Sequence, residues 1–143
     1  MNIFQEGPED RPFISKLWGL EEWLVNNEKY CAKLLWITPG FQCSLHYHPV
    51  KCETFVALDG LVRVEYYTKN IRCDALLVGR NRDTLTLPNG TPHRFWSMGG
   101  EGGLLLEIST THSDEDVVRL ETSKEQDNHE PLLGTLSIDP PNG

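Results

Sequence analysis

The sequence predicts an all-β domain, either a β-sandwich or a barrel. Hydrophobic residues make up 38% of its 143 residues, which is typical of a globular chain with one buried core. About ten short runs rich in Val, Ile, Tyr, Trp and Thr recur, separated by Gly, Asn, Asp and Pro. No long segment has the apolar period of an amphipathic helix. Short strands at close spacing, with turn residues between them, are typical of these two architectures.

In the first half of the chain, turn residues bound each predicted strand. A short helical turn is expected within residues 8–16, and the first strand ends at the pair Asn26-Asn27. The second strand ends at Pro39-Gly40, and Asp59-Gly60 between two apolar runs indicates a β-hairpin. The strands predicted here are residues 20–25, 30–38, 43–48, 53–58 and 61–67.

The second half continues the pattern and then changes composition. Its predicted strands are residues 75–78, 84–87, 93–98, 103–110 and 116–121. After Glu121 the chain becomes polar and acidic and ends in Pro-Pro-Asn-Gly. We therefore predict a β domain with an N-terminal extension over residues 1–121 and a polar tail over residues 122–143. We expect the tail to pack through its aliphatic side chains, Leu132, Leu133, Leu136 and Ile138.

Charge and hydropathy exclude several classes of function. The formal net charge is −8 and no Lys/Arg-rich stretch is present, so we predict no nucleic-acid partner. The apolar runs are too short to span a membrane, and the first residues lack the features of a signal peptide. We therefore expect a cytoplasmic protein that does not associate with membranes. Its four cysteines are expected to be reduced thiols.

Three strong metal ligands lie close together in the stretch GFQCSLHYHPVKCETFVALDG, residues 40–60. Alternate side chains of a strand share a face, so His46 and His48 would point the same way. An antiparallel return would bring Glu53 beside them. Such a set suits a divalent transition metal, although an ordinary polar hairpin is the alternative. A third imidazole would complete the set, with the candidates His93, His112 and His129.

The same stretch resembles the first motif of the cupin family in every position, Gly40-x5-His46-x-His48-x4-Glu53-x6-Gly60. A later stretch, PNGTPHRFWS, resembles the second cupin motif as Pro88-x-Gly90-x2-His93-x3-Ser97. Ser97 replaces the usual final Asn, and Arg82 stands where a glycine is usual. The resemblance covers about residues 16–121. It implies a single cupin domain, a double-stranded β-helix or jelly-roll barrel. It also implies one divalent metal ion, Mn, Zn, Fe, Co or Ni, held by His46, His48, Glu53 and His93.

A finer resemblance is to the C-terminal cupin domain of type II mannose-6-phosphate isomerases. It rests on residues 16–19 (KLWG), on Lys33, on residues 44–48 (SLHYH) and on residues 114–120 (DEDVVRL). Small cupins of this kind include sugar isomerases such as D-lyxose isomerase. The resemblance therefore implies a metal-dependent aldose–ketose isomerase that acts on a sugar or a sugar phosphate. Arg119 matches the last element, where a salt bridge to Asp114 or Asp116 is expected.

An isomerase also needs a base that moves a proton between neighbouring carbons, with a pKa near the working pH. Glu107 is the first candidate, because it is a lone acid in the apolar run LLLEIST. Its alternative position is on the solvent side of the strand. Lys33 is the second candidate and would bind an anionic substrate or stabilise the enediolate. Its alternative is a solvated lysine on an edge. Arg94 adjoins His93 but should face the other way, in a structural role.

Two other functions use the same ligands. They are an Fe(II)-dependent cupin dioxygenase and a non-catalytic sugar-binding cupin. In each case we expect a small-molecule partner, a carbohydrate for the isomerase and the binding module. We also expect a homodimer, because small cupins expose a hydrophobic sheet face and edge strands, and the strand with EEWLV is the expected contributor.

Overall fold

Eleven β-strands and two short 3-10 helices account for most of the described chain, residues 2–126 of a computed structural model. This confirms the all-β prediction. The helices are Pro8–Asp10 and Gly79–Asn81. The strands are β1 (Phe13–Lys16), β2 (Gly19–Asn26), β3 (Cys31–Ile37), β4 (Phe41–Gln42), β5 (Leu45–Tyr47), β6 (Glu53–Thr68), β7 (Ile71–Val78), β8 (Thr84–Leu87), β9 (His93–Ser109), β10 (Val118–Glu121) and β11 (Lys124–Glu125). Within the same residues, no helix has the length and hydropathy of a membrane-spanning segment.

The strands join into one sheet that curls on itself around the two long strands, β6 and β9. These two pair antiparallel over most of their length. On the other side of β9 lie β3, β4 and β5, and on the other side of β6 lie β7 and β8. The sheet continues from β3 through β2 to β1, and from β5 to β10. The long strands thus contribute to both ends of the barrel.

Side chains inside the barrel change from apolar to polar at one level along its axis. On β3, Lys33, Leu35 and Ile37 all face inward and are buried. Opposite them on β9, Leu105 is followed two positions later by Glu107. The apolar level forms the core, made of Trp18, Leu35, Ile37, Cys43, Phe55, Ala57, Val62, Val64, Leu77, Leu87, Phe95 and Leu105. The polar level above the core is the candidate site.

The hairpin predicted at Asp59-Gly60 is wrong, because β6 runs through this pair without turning back. The pair forms a β-bulge, where the register against β9 shifts. The bulge changes which positions face inward, so the buried residues are Phe55 and Ala57 before it and Val62 after it. The true hairpin joins β6 to β7 through residues 69 and 70, which both have positive φ, 51° and 63°.

At the N-terminal end, the short helical turn expected within residues 8–16 forms as a three-residue 3-10 helix, and β1 then pairs with β2 as an outer strand. At the C-terminal end of the described residues, β11 pairs with β4. The aliphatic residues expected to pack the tail lie outside the described residues.

Candidate metal centre

Three histidines meet at the polar end of the barrel. His46 on β5 lies directly opposite His93 at the start of β9, and His48 follows one residue after β5. Their candidate ligand nitrogens all lie within 4.8 Å of one another. His93 and His48 are buried, whereas His46 is partly exposed. The structure therefore brings together the three imidazoles that the two cupin motifs imply.

Each of these imidazole rings directs its Nδ1 atom at a backbone carbonyl oxygen. In chain order the N···O distances are 2.7, 2.7 and 2.8 Å, to the oxygens of Ser44, Asp116 and Thr91. A carbonyl oxygen only accepts hydrogen bonds, so Nδ1 carries the proton in each ring. The Nε2 lone pair of the neutral ring is then available to a metal ion, which is the usual arrangement of metal-binding histidines.

Glu53 completes the cluster from the first position of β6. Its Oε1 atom lies 2.7 Å from Nε2 of His93 and 3.7 Å from Nε2 of His48. Neither carboxylate oxygen, nor Nε2 of His93, has a well-directed hydrogen bond to any described residue, although all three atoms are buried. Buried polar atoms without hydrogen bonds are costly in free energy. A cation bound between Glu53 and the histidines would therefore stabilise these atoms. The donor set, three imidazoles and one carboxylate, fits a divalent transition metal.

The protonation states agree with this interpretation. Burial, reinforced by the neighbouring imidazoles, holds the pKa of His46 well below its ordinary value. Burial also lowers the pKa of His48 to about 4, so both rings are neutral at pH 7. Burial alone would raise the pKa of Glu53, but His93 outweighs it and lowers that pKa. In return Glu53 outweighs burial and raises the pKa of His93. A cation, whether a proton or a metal ion, is thus favoured between these two residues.

Lys51 is a site residue that sequence reasoning missed. It is 3% exposed, and its Nζ lies 3.7 Å from Oε2 of Glu53 and 3.4 Å from Oε2 of Glu107. Burial would lower the pKa of Lys51, but the two carboxylates outweigh it and raise that pKa. The short run PVKC is typical of a solvated turn. The available signal was the spacing of two residues from Glu53, which places both side chains on one face.

Glu107 faces the interior of the barrel, where it is 6% exposed, and not the solvent. It lies opposite Lys33 on β3 and opposite Phe55 on β6. Burial and the negative charge of Glu53 raise the pKa of Glu107 to about 7, even though Lys51 acts in the opposite direction. A carboxyl group of this kind can exchange a proton near neutral pH.

Lys33 is also inside, at 3% exposure, so its alternative as a solvated edge lysine is wrong. Its Nζ lies 3.1 Å from Nδ1 of His112, 3.6 Å from Oε1 of Glu21 and 4.3 Å from the ring centre of Trp23. Nε2 of His112 is in turn 2.9 Å from Oδ1 of Asp114. Lys33 therefore belongs to a second polar cluster, and within residues 2–126 it makes no ion pair with Glu107, its cross-strand neighbour.

One cavity of about 530 Å³ is lined by the three histidines, by Lys51 and Glu107, and by the second polar cluster. A volume in this range is typical of sites for small organic ligands. Besides the residues above, its wall includes Trp18 and the exposed Arg119.

The salt bridge expected for Arg119 does not form within residues 2–126, because Asp114 contacts His112 and Asp116 contacts backbone NH groups. Arg94 faces away from the cavity and pairs with Glu65, as expected of a structural residue.

The sequence matches no family model. A curated relative, mannose-1-phosphate guanylyltransferase of Sinorhizobium fredii, is 23% identical over 117 residues. This match covers 78% of the chain but only 21% of the relative.

Solved structures with the same fold include the capsular polysaccharide assembling protein CapF of Staphylococcus aureus, with a TM-score of 0.67 and 13% identity over 81% of this chain. Oxalate decarboxylase of Bacillus subtilis, which has Mn(II) centres, gives a TM-score of 0.69 and 19% identity over 79% of this chain. The chain spans 31% of the length of each. With its curled β-barrel and the three-histidine cluster that the two motifs imply, the chain has the cupin fold.

Proposed function

We propose that this chain is a metal-dependent sugar isomerase domain that interconverts an aldose with its ketose. The observation that carries the proposal is the buried pair of Lys51 and Glu107 beside the cluster of three histidines and Glu53. The pair provides a group that can exchange a proton near neutral pH, next to a set of residues that suits a metal ion. The curated relative acts on a sugar phosphate, by its name, which supports a carbohydrate ligand.

His46, His48, His93 and Glu53 would hold the metal, one divalent ion such as Mn, Zn, Fe, Co or Ni. An ion held there would supply polarisation of the carbonyl group and the adjacent hydroxyl group of the sugar. Glu107 in its ionised form removes the proton from the carbon next to the carbonyl. It then returns that proton to the neighbouring carbon, while the proton of the C2 hydroxyl group passes to the oxygen on C1, and the two transfers together convert aldose to ketose.

Two lysines support this proton transfer in different ways. Lys51, held between two carboxylates, keeps its positive charge beside Glu107 and stabilises negative charge that develops on the sugar oxygens. Lys33 and His112 lie in the second cluster of the same cavity. They are placed to bind the hydroxyl or phosphate group at the far end of the sugar, which gives Lys33 a binding role and leaves the base to Glu107.

The test is exchange of the C2 hydrogen of sugars in D₂O. Protein loaded with each candidate metal is incubated with lyxose, mannose, fructose and their phosphates, and deuterium incorporation is followed by NMR. Glu107→Gln should keep the metal and lose about 10²–10⁴ in rate, the usual contribution of a general base. Glu101→Gln is the matched control, because it makes the same change at an exposed position of the same strand.

Three outcomes would contradict the proposal. If the His48→Ala variant kept its metal, the assigned set of ligands would be wrong. Sugar binding without exchange, for every metal and sugar, would favour the non-catalytic binding module. Oxygen consumption by the Fe(II)-loaded protein, without isomerisation under anaerobic conditions, would favour the dioxygenase.

A further inference from the structure

A loop far along the chain holds the turn that carries Lys51. The backbone NH groups of Val50 and Lys51 each donate a hydrogen bond of 2.8 Å to Asp116, one to Oδ1 and the other to Oδ2. The next residue, Cys52, exchanges two hydrogen bonds with Thr110. Its NH group donates to Oγ1 at 3.2 Å, and its carbonyl accepts from the backbone NH of Thr110 at 3.1 Å. The turn of residues 49–52 is therefore fixed to the loop of residues 110–117.

Asp116 also contacts the metal cluster through its backbone. Its carbonyl oxygen accepts the hydrogen bond from Nδ1 of His48 at 2.7 Å. The histidines at positions 46 and 93 bond to carbonyls two residues before them, whereas His48 depends on a residue 68 positions away. The orientation of this ring is thus set by how the loop of residues 110–117 sits against the turn.

We propose that Asp116 is a positioning residue, whose carboxylate fastens the loop so that His48 and Lys51 are held in place together. Two successive NH groups that point the same way need two acceptor oxygens, and an ionised carboxylate supplies both in strong, charge-assisted bonds. The same contact fixes the carbonyl that orients His48. The part that concerns Lys51 in catalysis rests on the proposed function, whereas the part that concerns His48 rests only on the metal cluster.

Release of the turn from the loop would affect His48 and Lys51 in two different ways, each of which can be measured. Loss of a hydrogen-bonding partner behind a metal ligand typically lowers metal affinity by about 10–100-fold. Lys51 is 3% exposed, although a lysine side chain is long and its ammonium group is strongly hydrated, so a free turn would let it reach water. If the turn is released, Lys51 gains access to water and to reagents.

The experiment compares Asp116→Asn and Asp116→Ala with Glu115→Gln, an exposed carboxylate in the same loop. Two quantities are measured, neither of which needs turnover. The affinity for Co(II) is read by absorption of the bound ion. Acetylation of Lys51 in the metal-free protein is read by mass spectrometry. We expect both Asp116 variants to lose about 10–100-fold in Co(II) affinity and to show increased acetylation at Lys51, and Glu115→Gln to match the parent protein.

Unchanged Co(II) affinity together with protected Lys51 in Asp116→Asn would overturn the proposal. It would also be overturned if only one of the two quantities changed, because Asp116 would then not hold the two residues as a unit. Should Asp116→Ala fail to fold, Asp116→Asn decides, since it keeps the size of the side chain and loses one of the two acceptors. Failure of the parent protein to isomerise sugars would refute the proposed function but leave these two measurements intact.

Discussion

At the residue scale, burial determines which protonation states the site can adopt. Lys51 lies between Glu53 and Glu107, so one buried cation serves two buried carboxyl groups. Because one cation cannot fully compensate two neighbouring negative charges, the pKa values of the two carboxyl groups move apart. The pKa of Glu53 is lowered and that of Glu107 is raised to about 7. Such divergence between neighbouring acids separates a permanent ligand from a group that moves protons.

Burial of His48 contributes an acid sensitivity to the metal-free protein. Burial lowers the pKa of His48 to about 4, from 6.5 in an unfolded chain. Between these values the unfolded state binds more protons, so the free energy of unfolding falls as the pH falls, by about 1.4 kcal/mol per pH unit for one such group. Urea unfolding of the metal-free protein between about pH 7 and pH 5 measures the sum of this fall and the contributions of the neighbouring groups.

His48→Gln should show a smaller loss of stability over the same range, because it lacks the group. The comparison isolates His48 from its neighbours, since His46 acts in the same direction, whereas His93 and Glu107, whose pKa values are raised, act in the opposite one. The same pH dependence in both proteins would contradict the account of His48.

The sequence predicts those site residues whose relation is local. His46, His48 and Glu53 lie on two consecutive strand segments, where alternation and one turn bring them together. Lys51 obeys the same alternation, but nothing in the local sequence shows that its side chain is buried. Asp116 could not be predicted, because its contact with Val50 joins positions 66 residues apart and depends on how the barrel closes.

At the element scale, the bulge in β6 lets one strand serve both ends of the barrel. Gly60 has φ 72°, and a Cβ atom placed on it would lie 2.5 Å from the carbonyl oxygen of Gly102 on β9. An Asp-Gly pair suits a hairpin turn and equally suits a bulge, because both use the left-handed conformation of glycine. Here the Asp-Gly pair forms a bulge and not a turn because β9 pairs with β6 on both sides of it. That pairing is not encoded locally, so the hairpin prediction failed there.

Gly60→Ala should destabilise the protein more than Gly99→Ala. Both glycines have positive φ, so alanine at either position costs about 1–2 kcal/mol for the left-handed backbone. At Gly99 nothing lies within 4 Å of the added methyl group, whereas at Gly60 the methyl group meets backbone of β9. Urea unfolding of the two variants measures the difference. Equal losses of stability would show that the close approach of β6 and β9 at this bulge costs nothing to disturb.

At the scale of the whole molecule, one outer face of the barrel is apolar. The outward positions of β3 and β9 pair as Leu34 with Leu106 and as Trp36 with Leu104. Trp36 is 44% exposed and Ile108, further along β9, is 47% exposed. Large contiguous apolar patches on a protein surface usually mark an interface. β1 pairs with residues 19–22 of β2, so the start of the EEWLV edge is covered, and we expect β2 to contribute through its outer face.

We expect a second copy of the chain to cover this face and form a homodimer. A stable dimer buries about 1,200–2,000 Å² in total, and aromatic and aliphatic residues dominate the centre of such interfaces. Trp36→Lys combined with Ile108→Lys places two charges in that centre and should yield monomers that keep their thermal unfolding transition. Leu76→Lys is the matched control, because Leu76 is 45% exposed on β7, outside the face. Light scattering after size exclusion measures the mass, and a monomeric parent protein at micromolar concentration would refute the dimer.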